Sequence, residues 1–93
     1  MTLEFQWDTI KNILNRKKHG IWFEEAQTVF DDPLGRLFMD ESSHEERYVL
    51  IGASFSSQVL VVIHCYKNED SVVRIVSARR ATKQERSFYE KTI

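Results

Sequence analysis

With 93 residues, 42% of them hydrophobic and 29% charged, the chain has the length and composition of one globular domain, which excludes a disordered segment. The formal net charge of −1 excludes a chain that is basic throughout, and the longest apolar run, Val59 to Ile63, is too short to cross a bilayer. Cys65 is the single cysteine, so a disulfide framework is excluded; with no leader peptide evident, the expected location is the cytoplasm.

Leu3 to Trp7 alternates apolar and polar residues, as a half-buried strand does. Asp8 stands where a helix N-cap belongs, and Gly20 suits the position that ends the helix. Between them Ile10, Ile13 and Leu14, continued by Ile21, recur at near-helical spacing and predict an apolar stripe facing the core. Lys11, Asn12, Asn15, Lys18 and His19 fall on the opposite, polar face. A second short helix is expected from Trp22 or Phe23 to about Phe30, with Phe23, Ala26, Gln27 and Phe30 on one side, and Asp31-Asp32-Pro33 breaks it.

Leu37 to Asp40 is a short strand candidate, and Ser42-Ser43-His44 is a polar turn. Arg47 to Gly52 is rich in β-formers. Phe55-Ser56-Ser57 turns the chain into Val59–Ile63, apolar on both faces and so the expected central strand. Asn68-Glu69-Asp70 forms the next turn, and Val72 to Arg79 the last strand. Thr82-x-x-Glu85 is a capping box that opens a final helix to about Lys91. The order β-α-α-β-β-β-β-α describes an α+β domain over residues 1–93. Its sheet is expected to be antiparallel, of four to five strands, with the two early helices packed on one face. The other face is left open for basic residues of the last strand.

The charge is unevenly distributed. Residues 11–19 carry +4 and residues 74–93 another +4, whereas residues 20–73 carry −7. If the two basic segments meet in the fold, they form a positive surface that holds phosphates; otherwise they are two solvated helix faces.

Several segments together resemble one family. Trp7-Asp8, Lys11, Asn15, Lys18-His19-Gly20-Ile21, Phe23-Glu24-Glu25-Ala26 and Val29-Phe30 are similar to the opening of the BrnT toxins. Glu46-Arg47-Tyr48 with Ile51-Gly52 resembles the family's middle strand. Arg74 to Ala81, with Glu85-Arg86 and Tyr89, resembles its C-terminal signature. The resemblance implies a RelE-like fold and a ribonuclease that blocks translation. It also implies a BrnA-type antitoxin partner, whose ribbon-helix-helix region binds DNA, so that the toxin reaches DNA only through the antitoxin.

Metal-free RNA cleavage needs a base for the 2′-hydroxyl, an acid for the leaving 5′-oxygen and a cation for the phosphate. His19, His44, His64 and Cys65 do not fall at metal-ligand spacings, and neither a Walker loop nor a dinucleotide fingerprint is present, so no metal or cofactor is expected. Arg79 is the first candidate for phosphate, because a guanidinium holds two oxygens at once; the alternative is a salt bridge to Glu85 or Glu46. Arg47, on a neighbouring strand, is a second catalytic candidate. His19 is the acid/base candidate, since an imidazole titrates near pH ~6.5; with Lys18 it alternatively only complements a helix C-terminus.

Lys11, Lys18, Arg74 and Arg80 are candidates for holding the substrate, and Tyr89 for stacking on a base. Arg74 lies an odd number of positions from Arg79, so the two share a face only if a bulge intervenes. Trp7, His64 and Cys65 read better as core. Two other readings stand beside the ribonuclease: a non-enzymatic module that binds only an antitoxin or nucleic acid, and a generic α+β interaction domain.

Overall fold

Asp8 starts the first helix by accepting hydrogen bonds at Oδ1 from the backbone N–H of Ile10 (2.8 Å) and Lys11 (3.1 Å). Gly20 ends it at φ 75°, a left-handed conformation that glycine adopts without a Cβ clash. In the computed structural model, which describes residues 3–91, this is helix α1 (Thr9–His19). It follows strand β1 (Glu4–Gln6). Then come α2 (Phe23–Ala26), a 3₁₀ turn (Gln27–Asp31), and strands β2 (Arg36–Met39), β3 (Tyr48–Ala53), β4 (Val59–Lys67) and β5 (Val72–Arg80). Helix α3 (Lys83–Glu90) closes the order, behind a capping box in which Thr82 and Glu85 bond reciprocally. The ends of the expected 1–93 span, residues 1–2 and 92–93, lie outside the described residues.

The five strands form one sheet in the order β1-β5-β4-β3-β2, with β4 at its centre as its two-sided apolar run requires. The sheet is mixed rather than antiparallel, because β1 runs parallel to β5. Hairpin logic governs only strands joined by turns. β1 leads into helices instead, and docks where Phe5 meets Phe30 at 5.2 Å between ring centroids. The expected second helix is split: its last turn tightens to 3₁₀, which buries Val29 and leaves Gln27 half-buried. Gly52 makes room for that turn, since a Cβ there would lie 2.9 Å from Val29 Cγ1.

One face of the sheet carries Leu50, Leu60, Val62, Val73, Ile75 and Ala78, which pack against Ile21, Phe23, Ala26 and Val29. The other face is not fully open. Tyr89 of α3 packs there on Val49, Ile51 and Val61.

α1 faces the opposite way from its apolar stripe. Ile10, Ile13 and Leu14 are 68%, 44% and 56% exposed, while Asn12 and Asn15 are buried. Backbone hydrogen bonding decides this. β1 covers β5 only as far as Arg74, so the outer edge of β5 beyond it needs partners. Asn15 supplies them: Nδ2 donates to the carbonyls of Ala78 and Ile21 (2.9 Å each), and Oδ1 accepts from Ala78 N (3.1 Å). Asn12 Oδ1 accepts from Phe23 N (2.7 Å), the first N–H of α2. Leaving such groups unpaired in the interior costs more than exposing three aliphatic side chains.

Candidate nucleic-acid interface

Arg74 and Arg79 share a face because β5 bulges. Ile63 pairs with Ser77 and His64 with Ile75, so Val76 is an extra residue and the alternation resets. Arg79 lies opposite Val61 and Arg74 opposite Cys65, four residues apart on β4, roughly 13 Å at ~3.3 Å per residue. Arg47 immediately precedes Tyr48, the partner of His64, and so stands at Arg74's end of the same face. Its Nη2 donates to Glu45 Oε2 (3.0 Å), and its Nε is buried without a partner. Arg74 Nη1 donates to Gln6 Oε1 (2.9 Å).

At the other end Arg79 forms a two-pronged pair with Glu85, Nη1 to Oε1 at 2.7 Å and Nη2 to Oε2 at 2.9 Å. The Arg79 guanidinium, aided by the Thr82 hydrogen bonds and against the penalty of burial, holds the Glu85 carboxyl down at about 2. Of the two expected salt-bridge partners it is therefore Glu85 that Arg79 meets; Glu46 instead accepts from the Tyr48 hydroxyl (2.8 Å).

His19, Lys18 and Lys11 lie on α1, on the helix side of the sheet. Lys11 and Lys18 are exposed and His19 half-buried. Arg80, facing Leu60's side, joins this group by donating from Nη1 to the His19 carbonyl (3.4 Å). The fold thus brings His19 and Arg80 to one end of β5, with Arg79 at the same end but on the opposite face. It does not bring Arg47 to either.

A hydrogen-bonded network continues from Arg80. Its Nε donates to Gln58 Oε1 (2.7 Å), and Gln58 Nε2 donates to Glu25 Oε2 (3.0 Å). The hydroxyls of Ser54 (2.7 Å) and Ser56 (2.6 Å) donate to that same oxygen. Burial opposes the Glu25 charge, but these donors outweigh it and hold the carboxyl below its ordinary value. Beside the network, the Arg16 guanidinium lies 5.6 Å from the centre of the Trp22 ring. Arg16, Trp22, Glu25 and Phe55 are additions to the sequence-based candidates. Phe55, 75% exposed in a serine-rich turn, was the legible signal, because a core residue has no place there.

Tyr89 corrects the expectation of a stacking platform. It is 5% exposed, and its hydroxyl donates to Asp32 Oδ2 (2.6 Å). That bond, with burial, pushes the phenol up to about 12. A raised phenol pKa contributes stability that is complete below the ordinary value of 10.0 and is lost as pH rises towards about 12. Tyr89→Phe is expected to lose about 1.5–3 kcal/mol at neutral pH and to lack this alkaline decline. Denaturant titrations of both proteins at stepped pH check it; equal stability at neutral pH would refute the assignment.

His64 is fully buried, with Nδ1 3.2 Å from the Val62 carbonyl, and burial keeps the imidazole below its ordinary pKa. Among the described residues, no three His, Cys, Asp or Glu side chains gather to hold a metal ion, and no helix is long and apolar enough to cross a membrane.

A family model described as "Ribonuclease toxin, BrnT, of type II toxin-antitoxin system" matches residues 7–85. The fold is similar to the 1.1 Å crystal structure of the Brucella abortus ribonuclease toxin BrnT, with a TM-score of 0.69 and 21% sequence identity over 88% of this chain and 100% of that one. No curated protein matches the chain.

Proposed function

Because the chain belongs to the BrnT family of ribonuclease toxins of type II toxin–antitoxin systems, we propose that it is a RelE-like, metal-independent endoribonuclease of the cytoplasm that cleaves RNA and so inhibits translation. A BrnA-type ribbon-helix-helix antitoxin holds it in check and carries any contact with DNA. The observation behind this reading is the family match over residues 7–85; the cationic end of β5 gives it a place to act.

There Arg79 and Arg80 leave β5 towards opposite faces and hold RNA phosphates around the sheet end. His19 is the proton-transfer group. Loss of the 2′-hydroxyl proton lets that oxygen attack phosphorus; the bond to the 5′-oxygen breaks, and the departing oxygen takes a proton. The guanidinium charge stabilises the phosphorane oxygens as they gain charge. Arg47 and Arg74, at the far end of the sheet face, act on flanking phosphates, as do Lys11 and Lys18 on the helix side.

The chain expressed alone is expected to arrest growth, and the purified protein to cleave RNA undiminished in excess EDTA. Loss of cleavage with chelator, restored by a divalent ion, would overturn metal independence. The non-enzymatic alternative draws on one observation: Glu85 occupies both terminal nitrogens of Arg79. Antitoxin binding without growth arrest or RNA cleavage would establish that alternative.

A further inference from the structure

A groove of about 410 Å³, lined by Trp22, Glu24, Glu25 and Phe55, opens beside the Arg80 end of β5. Its size falls within the ~300–1,000 Å³ of small-ligand pockets. Two aromatic rings stand at it with much of their surface in water, Trp22 at 43% and Phe55 at 75% exposure. Neither serves the core clusters, which are completed by other residues. Burying a flat aromatic partner between such rings recovers the cost of exposing them.

The carboxylates supply the polar part. Glu24 Oε1 accepts from Asn12 Nδ2 (2.9 Å), and Glu25 Oε2 accepts from Ser54, Ser56 and Gln58. These bonds fix both side chains while the other oxygen of each, Glu24 Oε2 and Glu25 Oε1, has no partner among the described residues. The groove therefore offers stacking surfaces and hydrogen-bond acceptors, but no donor from its carboxylates.

Cations flank it. Arg16 lies over Trp22, and a Cβ placed on Gly20 would be 3.4 Å from Arg80 Nη1 and 3.8 Å from Arg16 Nη1, so the two guanidiniums meet at that glycine. Nη2 of Arg80 has no hydrogen-bond partner among the described residues. An aromatic, acceptor-bearing groove with positive charge at its mouth matches one nucleotide: base inside, phosphate outside.

We propose that the Trp22–Phe55 groove is a subsite for an unpaired guanine of the RNA substrate. Guanine presents two adjacent N–H donors, N1–H and the 2-amino group, to a carboxylate; adenine, cytosine and uracil each present one donor group on that edge. Trp22 and Phe55 stack on the base, the Glu24 carboxylate, whose Oε1 takes a single hydrogen bond and whose Oε2 takes none, accepts its two donors, and Arg16 and Arg80 hold the adjoining phosphate. The subsite gives the ribonuclease a base preference at the position nearest His19 and Arg80. The choice of RNA as ligand rests on the ribonuclease reading; the groove's affinity for a nucleotide does not.

The test uses the purified full chain with four separate probes, the 5′-monophosphates of guanosine, adenosine, cytidine and uridine, titrated by calorimetry. Guanosine monophosphate is expected to bind tightest. Trp22→Ala and Phe55→Ala are each expected to weaken it roughly 5- to 150-fold, given ~1–3 kcal/mol per stacked base. Glu24→Gln is expected to erase the preference for guanine. Circular dichroism confirms folding, and Phe55, the more exposed ring, is the variant least able to disturb it. Equal affinity for all four nucleotides, or guanosine monophosphate binding unchanged in both aromatic variants, overturns the proposal. A parallel cleavage assay separates the two readings. Groove-dependent nucleotide binding without RNA cleavage keeps the subsite and removes the ribonuclease. Cleavage unaltered in Phe55→Ala, with no nucleotide binding, does the reverse. Loss of antitoxin binding in Phe55→Ala with nucleotide binding intact assigns the groove to the antitoxin and overturns the subsite.

Discussion

Arg79→Ala is expected to lower the rate of RNA cleavage about a hundredfold while lowering stability only slightly. A cation set against phosphate charge that grows in the transition state is worth roughly 2.7–4 kcal/mol by analogy with an oxyanion donor, which is a hundredfold or more in rate. The structural cost of the substitution is the pair with Glu85. The Arg79 side chain is 41% exposed, so solvent screens that pair, and its loss costs about 1 kcal/mol or less, a fall of roughly 5 °C in Tm.

Acid titration of stability isolates the structural part. Glu85 is held at about 2 against an ordinary 4.5, with the Arg79 hydrogen bond the largest cause. A depressed carboxyl pKa contributes stability above 4.5 that is lost as pH falls through about 2. In Arg79→Ala this acid decline flattens. Glu85→Gln keeps the cap geometry, because glutamine also serves a capping box, and releases the guanidinium. That variant is expected to retain cleavage while losing the acid decline. Cleavage rates and thermal midpoints of the two variants beside the parent are the measurement. A normal rate in Arg79→Ala removes Arg79 from the site and leaves His19 and Arg80 to carry it.

Asn15→Ala is expected to destabilise the domain more than any substitution of the exposed α1 stripe. The side chain is buried and bonds three backbone groups: the Ile21 carbonyl and both the N–H and carbonyl of Ala78. Removing it strands them where no strand reaches, since β1 ends opposite Arg74. At ~1–3 kcal/mol per stranded group, relieved in part by water, the expected loss is about 3 kcal/mol. For a domain of this length that is a fall of roughly 15 °C in Tm. Ile13→Ala, at a residue 44% exposed, is expected to change stability by about 0.5 kcal/mol or less. Thermal melts of the two variants beside the parent decide it: a midpoint for Asn15→Ala no lower than that for Ile13→Ala would refute the anchoring role of the asparagine.

The local signals in the sequence held wherever their cause was local. Asp8 and Gly20 bound the first helix, and Thr82 with Glu85 caps the last, because a cap needs only the atoms of its own turn. The run Val59–Ile63 marks the central strand because apolar residues on both faces suit only a position covered on both. The resemblance spread over Trp7 to Tyr89 agrees with the family matched over residues 7–85.

Where one segment had to satisfy another, the pattern misled or was silent. Apolar spacing on α1 pointed its aliphatic residues inward, but the uncovered edge of β5 required amides, and Asn12 and Asn15 took the interior. The pairing of β1 with β5 joins the two ends of the chain, and no turn between them records it. Residue parity set Arg74 and Arg79 on opposite faces until one bulged residue, Val76, reversed it. By itself the sequence determined the elements, their caps and the family, since these follow from neighbours along the chain. Only the tertiary structure decided which arginines share a surface, that Tyr89 is core, and that Trp22 and Phe55 meet at one groove. Those outcomes depend on strand register and on backbone groups left unpaired by distant segments.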